Sequence, residues 1–181
     1  MVSLKKWRVL VAHSQPVTRF GLVALIRSSK LFQVCAETGE APVARRLFAE
    51  SRPDLVVLNL TLRHGDGIEL IKDFRKQDPA VRALVVTART DTLSLQRAFK
   101  AGARGYIVTQ DETAEVLQAL ERIASGELYT SGTVARGLLE MLAAGTVEPR
   151  KSEGSNLSDR ELQVFRLIGS GLGTSRVATE L

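Results

Sequence analysis

Between residues 7 and 125, short β-branched runs alternate with longer segments carrying apolar residues at three- and four-residue spacing. The runs are WRVLVA (7–12), FQVCAE (32–37), DLVVLN (54–59), ALVVTA (83–88) and GYIV (105–108), most of them apolar at consecutive positions. Strands buried on both faces read this way, as in a parallel sheet covered by helices. Helical patterns fall at about 16–29, 40–51, 66–77, 91–102 and 112–125, each joined to its strand by a short connection. Pro16 suits a first helical turn and Gly102 a helix stop, while Ser51-Arg52-Pro53 and Asp78-Pro79 separate helices from strands. Five βα units joined by right-handed crossovers predict an α/β fold: a doubly wound, five-stranded parallel sheet with helices on both faces. Its functional edge should be the carboxyl ends of the strands.

Past Gly126 the pattern changes to an isolated helix at about 131–144, followed by GTVEPRKSEGSN (145–156), rich in Gly, Pro, Ser and charge, which reads as a flexible linker. In LSDRELQVFRLIGSG, Ser158 as N-cap and Glu161 three residues later form a capping box that opens an amphipathic helix, closed by Gly169 and Gly171. Thr174 or Ser175 could cap one further short helix, SRVATEL. The expected units are therefore 1–126, the sheet domain; 127–156, a linker helix and flexible linker; and 157–181, an all-α segment.

Composition narrows the class. Apolar residues make up 44% of the 181 positions and charged residues 25%, the balance of a chain that buries a core. No stretch approaches the roughly 20 apolar residues of a membrane span, and the apolar run near the start is too short for a signal peptide. A cytoplasmic protein without membrane contact is expected. The single cysteine, Cys35, lies in an apolar run, where a small buried hydrophobe is expected, and one cysteine cannot form an internal disulfide. The net charge of +5 sits in the first unit: residues 1–126 hold 19 Lys and Arg against 13 Asp and Glu, and residues 127–181 hold 6 against 7. Charge alone therefore does not argue for nucleic-acid binding by the tail.

The runs RPDLVVLNLTLRHGDGIELI, AFKAGARGYIV and LSDRELQVFRLIGSGL, set on five βα units, resemble a response regulator of the NarL/FixJ type over nearly the whole chain. The resemblance implies a flavodoxin-like receiver domain, a linker helix and a LuxR-type helix-turn-helix module. A working receiver of this kind would carry two acidic residues just after the first strand, a phosphoacceptor Asp at the end of the third, Thr or Ser ending the fourth and Lys after the fifth. Here the acidic pair reads His13 and Ser14, the acceptor Asn59 and the Lys Thr109; Thr87 alone keeps the expected type.

The chemistry of that pocket changes accordingly. Acyl phosphate formation needs a carboxylate nucleophile, which the neutral amide of Asn59 lacks. Magnesium needs hard, preferably anionic oxygens, and three carboxylates have become an imidazole, a hydroxyl and an amide. Without the Lys, a phosphoryl group would also lack a cationic partner. No cofactor or metal is expected, and no enzymatic activity. His13, Ser14 and His64 suggest a metal site or a hydrolase dyad only superficially, since metals need three or four converging ligands and adjacent Ser and His rarely reach hydrogen-bond geometry. A degenerate pocket whose polar groups bond one another or water is expected, with a sulfate or acidic small molecule as the alternative.

Thr87 and Tyr106 match the positions that, in receivers resembling this one, read out phosphorylation by an inward turn of the aromatic. Tyr106 could equally be a half-buried strand residue, and a receiver held permanently in one state is plausible, with nothing in the sequence to say which state. Binding of DNA as a homodimer is implied by the resemblance. The first helix, the fourth or the linker helix could supply the dimer face; Val134, Leu138, Leu139 and Leu142 form an apolar stripe that could instead pack back on the receiver. Residues 157–181 match the first two helices of a LuxR-type module, with Leu162, Val164, Phe165, Leu167 and Ile168 as core, and the recognition helix should follow; a chain continuing past Leu181 is expected, the alternative being a natural end there. The function expected is a DNA-binding transcription regulator controlled without aspartyl phosphorylation. The alternative is a pseudo-receiver that binds a regulatory protein partner and never touches DNA.

Overall fold

The computed structural model describes residues 6–109 and 113–136. Strands β1 (Trp7–Ala12), β2 (Phe32–Thr38), β3 (Leu55–Leu58), β6 (Arg82–Thr87) and β7 (Ala103–Val108) alternate with helices α1 (Pro16–Ser28), α2 (Ala41–Ser51), α3 (Gly67–Gln77), α4 (Thr92–Ala101) and α5 (Thr113–Ala124). Two short strands, β4 (Thr61–Leu62) and β5 (Gly65–Asp66), lie between β3 and α3, and β8 (Tyr129–Thr130) follows α5. The sheet runs β2-β1-β3-β6-β7-β8, and every pair in it is parallel.

Consecutive strand residues point to opposite faces, and both faces are packed. Leu10, Val56, Leu58 and Val85 join α2, α3 and α4 on one side; Val9, Val11, Leu55, Val57, Leu84 and Val86 join α1 and α5 on the other. That explains the consecutive apolar residues of the central strands, since neither face sees water. Phe48 of α2 stacks on Phe74 of α3 with ring centroids 4.2 Å apart, locking the two helices over the sheet. Asp66 caps α3 by accepting the Ile68 N–H at 2.6 Å, and Asp91 caps α4 through the Ser94 N–H at 2.8 Å. Gly102 ends α4 at φ 109°, a left-handed conformation that favours glycine.

Two expectations need correction. The sheet has six strands rather than five, because Tyr129 and Thr130 pair with Gly105 and Tyr106 beyond the expected boundary at residue 126. A two-residue strand is too short to announce itself by periodicity. The connection after β3 holds an antiparallel hairpin that the sequence pattern did not show, with His64 at its turn at φ 57°. Cys35 is only partly buried, because β2 is the edge strand and only its first and last residues are fully buried; its thiol lies 3.6 Å from the Ser51 hydroxyl.

Val134 lies in a helical stretch and packs against the α2–α4 side of the core. Leu138, Leu139, Leu142, the 145–156 linker and the helix-turn-helix segment from Ser158 onward lie outside the described residues. Among the described residues no helix is long and apolar enough to cross a membrane. α1 leaves Val17 and Phe20 exposed, at 85% and 74% of their surface.

Candidate functional site

The strand order doubles back at β1: the chain moves out to β2, then returns to build β3, β6 and β7 on the other side. A crevice opens at the carboxyl ends of the strands where such a reversal occurs, and this is where open α/β sheets bind ligands. His13 and Ser14 follow β1, Asn59 follows β3, and Thr87 ends β6, so four of the expected positions converge on that edge. The Asn59 N–H bonds the Ala12 carbonyl at 2.9 Å, fixing the β3 terminus beside the β1 terminus. Gly67 makes the tight return possible: a Cβ there would sit 2.3 Å from the Asn59 carbonyl.

The polar groups at the edge mostly bond one another. The Ser14 hydroxyl donates to the Thr61 carbonyl at 2.7 Å, and the Asn59 amide reaches the Ser14 oxygen at 3.5 Å. The Thr61 N–H approaches the Asn59 side-chain oxygen, Oδ1, at 3.4 Å. The Arg89 guanidinium donates to the Thr61 hydroxyl at 3.2 Å, tying the β6–α4 connection to the β4–β5 hairpin. Thr87 is buried, and its hydroxyl accepts the Arg89 N–H at 3.3 Å. Among the described residues no group of three or more His, Cys, Asp and Glu side chains is placed to hold a metal ion.

His13 is fully buried, which its polar side chain alone would not suggest. Its Nδ1 accepts the Gln15 N–H at 3.2 Å, leaving the proton of the neutral ring on Nε2, which has no hydrogen-bond partner. Burial holds the imidazole below its ordinary pKa, and the nearby Arg19 guanidinium acts in the same direction. Arg19 itself donates to the His13 carbonyl at 2.8 Å and pairs with Glu37 at 3.5 Å.

Residues 9–121 match the Response regulator receiver domain family. The chain belongs to that family. It is similar to the crystal structure of a two-component response regulator of the LuxR family from Aurantimonas sp. SI85-9A1, at 34% identity over 77% of this chain and 99% of that one, with a TM-score of 0.73. In sequence it is similar to the nitrate/nitrite response regulator protein homolog of Haemophilus influenzae, 28% identical over 97% of this chain and 82% of the relative. The DNA-binding transcriptional activator DevR/DosR of Mycobacterium tuberculosis is 29% identical over 96% of this chain and 79% of its own. These likenesses support a response regulator of the NarL/FixJ type.

In this receiver, Tyr106 is not a half-buried strand residue. It is 1% exposed, its ring joins the core cluster on the α2–α4 side, and its hydroxyl donates to the Arg89 carbonyl at 3.0 Å. Thr109 is exposed, with its N–H on the Thr87 carbonyl at 2.9 Å. His64, on the hairpin turn, is exposed and carries no part of the Ser14–Asn59 contacts. Sequence reasoning missed Thr61 and Arg89. Arg89 had a signal, a basic residue two positions beyond Thr87 on the same strand-end connection, but its reach to Thr61 depends on the hairpin.

Proposed function

We propose that this chain is a DNA-binding transcription regulator whose receiver is held with Tyr106 turned inward, without aspartyl phosphorylation. The observation that carries this reading is the pair of contact runs that meet at Thr61: Asn59 and Ser14 on its carbonyl side, and Arg89, whose carbonyl receives Tyr106, on its hydroxyl. In a phosphorylatable receiver the acceptor carboxylate stands where Asn59 stands, and an amide cannot form the acyl phosphate. Arg89 supplies a link between the β3 side and the β6 side that needs no phosphoryl group: its guanidinium holds Thr61, its N–H holds the Thr87 hydroxyl, and its carbonyl holds Tyr106.

A magnesium ion does not fit the donors present. The Nδ1 of His13 is occupied by the Gln15 N–H, Ser14 is turned to a carbonyl and Asn59 is uncharged, so none offers the anionic oxygen that magnesium prefers. No phosphoryl step is therefore derived for this pocket. DNA binding is supported by the LuxR-family likeness and by the relatives, one of which is named a DNA-binding activator. Dimerisation through α1 is consistent with the exposed Val17 and Phe20, whereas Val134 is spent on the receiver's own core.

Two measurements test this reading. Incubation with acetyl phosphate and Mg²⁺ should leave the intact mass unchanged, and a hydroxylamine-labile gain of one phosphate would overturn it. Selection from a pool of random duplex DNA, at two salt concentrations and without phosphodonor, should enrich a two-fold symmetric site. Failure of the folded full-length protein to enrich any sequence would overturn the DNA-binding half and leave a receiver that acts through protein contacts.

A further inference from the structure

We propose that the amino edge of the receiver sheet is a second contact surface for duplex DNA, one that engages phosphates irrespective of sequence. The choice of DNA as the polyanion rests on the DNA-binding reading above.

In each βα unit the helix runs back against its strand, so the C-terminal ends of α1 to α5 gather at the edge where the strands begin. All five helices end there on a cation: Arg27 in the last turn of α1, Arg52 as the C-cap of α2, Arg75 and Lys76 in α3, Lys100 in α4 and Arg122 in α5. Three arginines from the starts of strands close helix ends at the same edge. Arg8 donates to the Ser51 carbonyl at 2.7 and 3.1 Å, Arg82 to the Ala124 carbonyl and Arg104 to the Gly126 carbonyl. With Lys6 and Lys30, the edge holds 11 Lys and Arg against five acids, Glu50, Asp54, Asp78, Glu121 and Glu127. The other described residues are balanced, at 8 against 7.

Part of this charge serves the fold. A helix C-terminus carries roughly half a negative charge, so five of them offset about 2.5 of the excess and leave about 3 to 4 positive charges. That remainder is accessible. Arg27, Lys30, Arg52, Arg75, Lys76 and Lys100 are exposed, and among the described residues none of the six is in an ion pair. The acids are the engaged partners: Glu50 pairs with Arg46 and Glu127 with Arg122, while Asp54 and Asp78 accept the Arg8 and Ala80 N–H groups.

Neighbouring strands lie about 4.8 Å apart, so the row from Lys30 before β2 to Lys100 before β7 runs roughly 19 Å. A duplex presents a phosphate charge about every 1.7 Å of its axis, so a row of this length faces several at once, and each one neutralised releases counter-ions. Among these 181 residues the tail from 127 onward carries 6 Lys and Arg against 7 Asp and Glu, so the charge suited to a phosphate backbone lies at this edge.

The test measures binding of the full chain to a fluorescently labelled duplex of arbitrary sequence, by anisotropy, over sodium chloride from about 50 to 200 mM. The triple variant Arg52→Gln, Lys76→Gln, Lys100→Gln removes three exposed cations. At about 0.9 of slope per phosphate contact, it should lower the slope of log K against log salt by about 2 to 3 and weaken low-salt binding about tenfold. Arg46→Gln with Arg63→Gln, exposed cations away from the edge, should leave the slope unchanged. If the triple variant lacks a cooperative urea transition, Arg27→Gln with Lys30→Gln at the other end of the row decides, with an expected slope loss of about 2. No binding to the duplex, an unchanged slope in the edge variants, or an equal loss in the off-edge variant would overturn the proposal. Tighter binding of poly-L-glutamate than of duplex would overturn it too, assigning the edge to an acidic protein. Enrichment of a symmetric site with an unchanged slope removes this surface and leaves the DNA-binding reading; edge-dependent binding of arbitrary duplex without enrichment supports the surface and removes sequence-specific regulation.

Discussion

The carboxyl edge of the sheet has two sides whose polar groups are held differently. On the β1–β3 side, Ser14 and Asn59 meet at 3.5 Å and both reach Thr61, while the His13 ring accepts the Gln15 N–H. On the β6–β7 side, Thr87 and Tyr106 keep the residue types of a receiver, both are buried, and both are tied to Arg89. Ser14 and Asn59 are only partly buried and share little of the core, whereas His13 beside them is fully buried. The readout side cannot change so freely, because Tyr106 is also a core residue packed beside Val85. Chemistry and packing coincide on one side and are separable on the other.

The difference can be broken by substitution, and the largest effect should fall on the readout side. Tyr106→Ala removes a fully buried aromatic and should cost about 3–5 kcal/mol, measured as a shift in urea unfolding. Tyr106→Phe keeps the ring and loses only the hydrogen bond to the Arg89 carbonyl; about 1 kcal/mol is expected, together with a change in DNA affinity if the inward tyrosine sets the output. On the β1 side, His13 should make stability depend on pH. Its folded pKa lies below the ordinary value of 6.5, so the unfolded chain binds the extra proton first, and stability should fall as pH drops below 6.5 towards the folded pKa. His13→Asn should flatten that dependence in unfolding midpoints compared across pH. The smallest effect is expected at Asn59→Ala, about 0.5 kcal/mol or less by the same unfolding measurement, because its side chain makes only contacts of 3.4 and 3.5 Å. A loss as large as that of Tyr106→Phe would show that the two sides are not separable.

Much of the fold was legible because the central strands are buried on both faces. Consecutive apolar residues in VLVA, LVVL and ALVV have few other solutions in a soluble domain, and Pro16, Asp66, Asp91 and Gly102 mark helix ends by local chemistry. The position of His13, Ser14, Asn59 and Thr87 at strand ends was legible as well, because it follows from the same apolar runs. β8 and the β4–β5 hairpin were not, because pairs of residues carry no period and their pairing is set by partners distant in sequence. The depth of Cys35 was misread for a related reason: FQVCAE is apolar enough for a central strand, and only strand order makes β2 an edge.

By itself, then, the sequence determined the alternation of strands and helices and the doubly wound class. Each depends on residue type and spacing along the chain. The tertiary structure alone decided that Tyr106 points inward, that His13 is buried with one ring nitrogen unsatisfied, and that Arg89 spans the two sides of the crevice. The Tyr106 and Arg89 contacts join residues 17 and 28 positions apart, and side-chain direction at such separations follows from strand order and packing rather than from any local pattern.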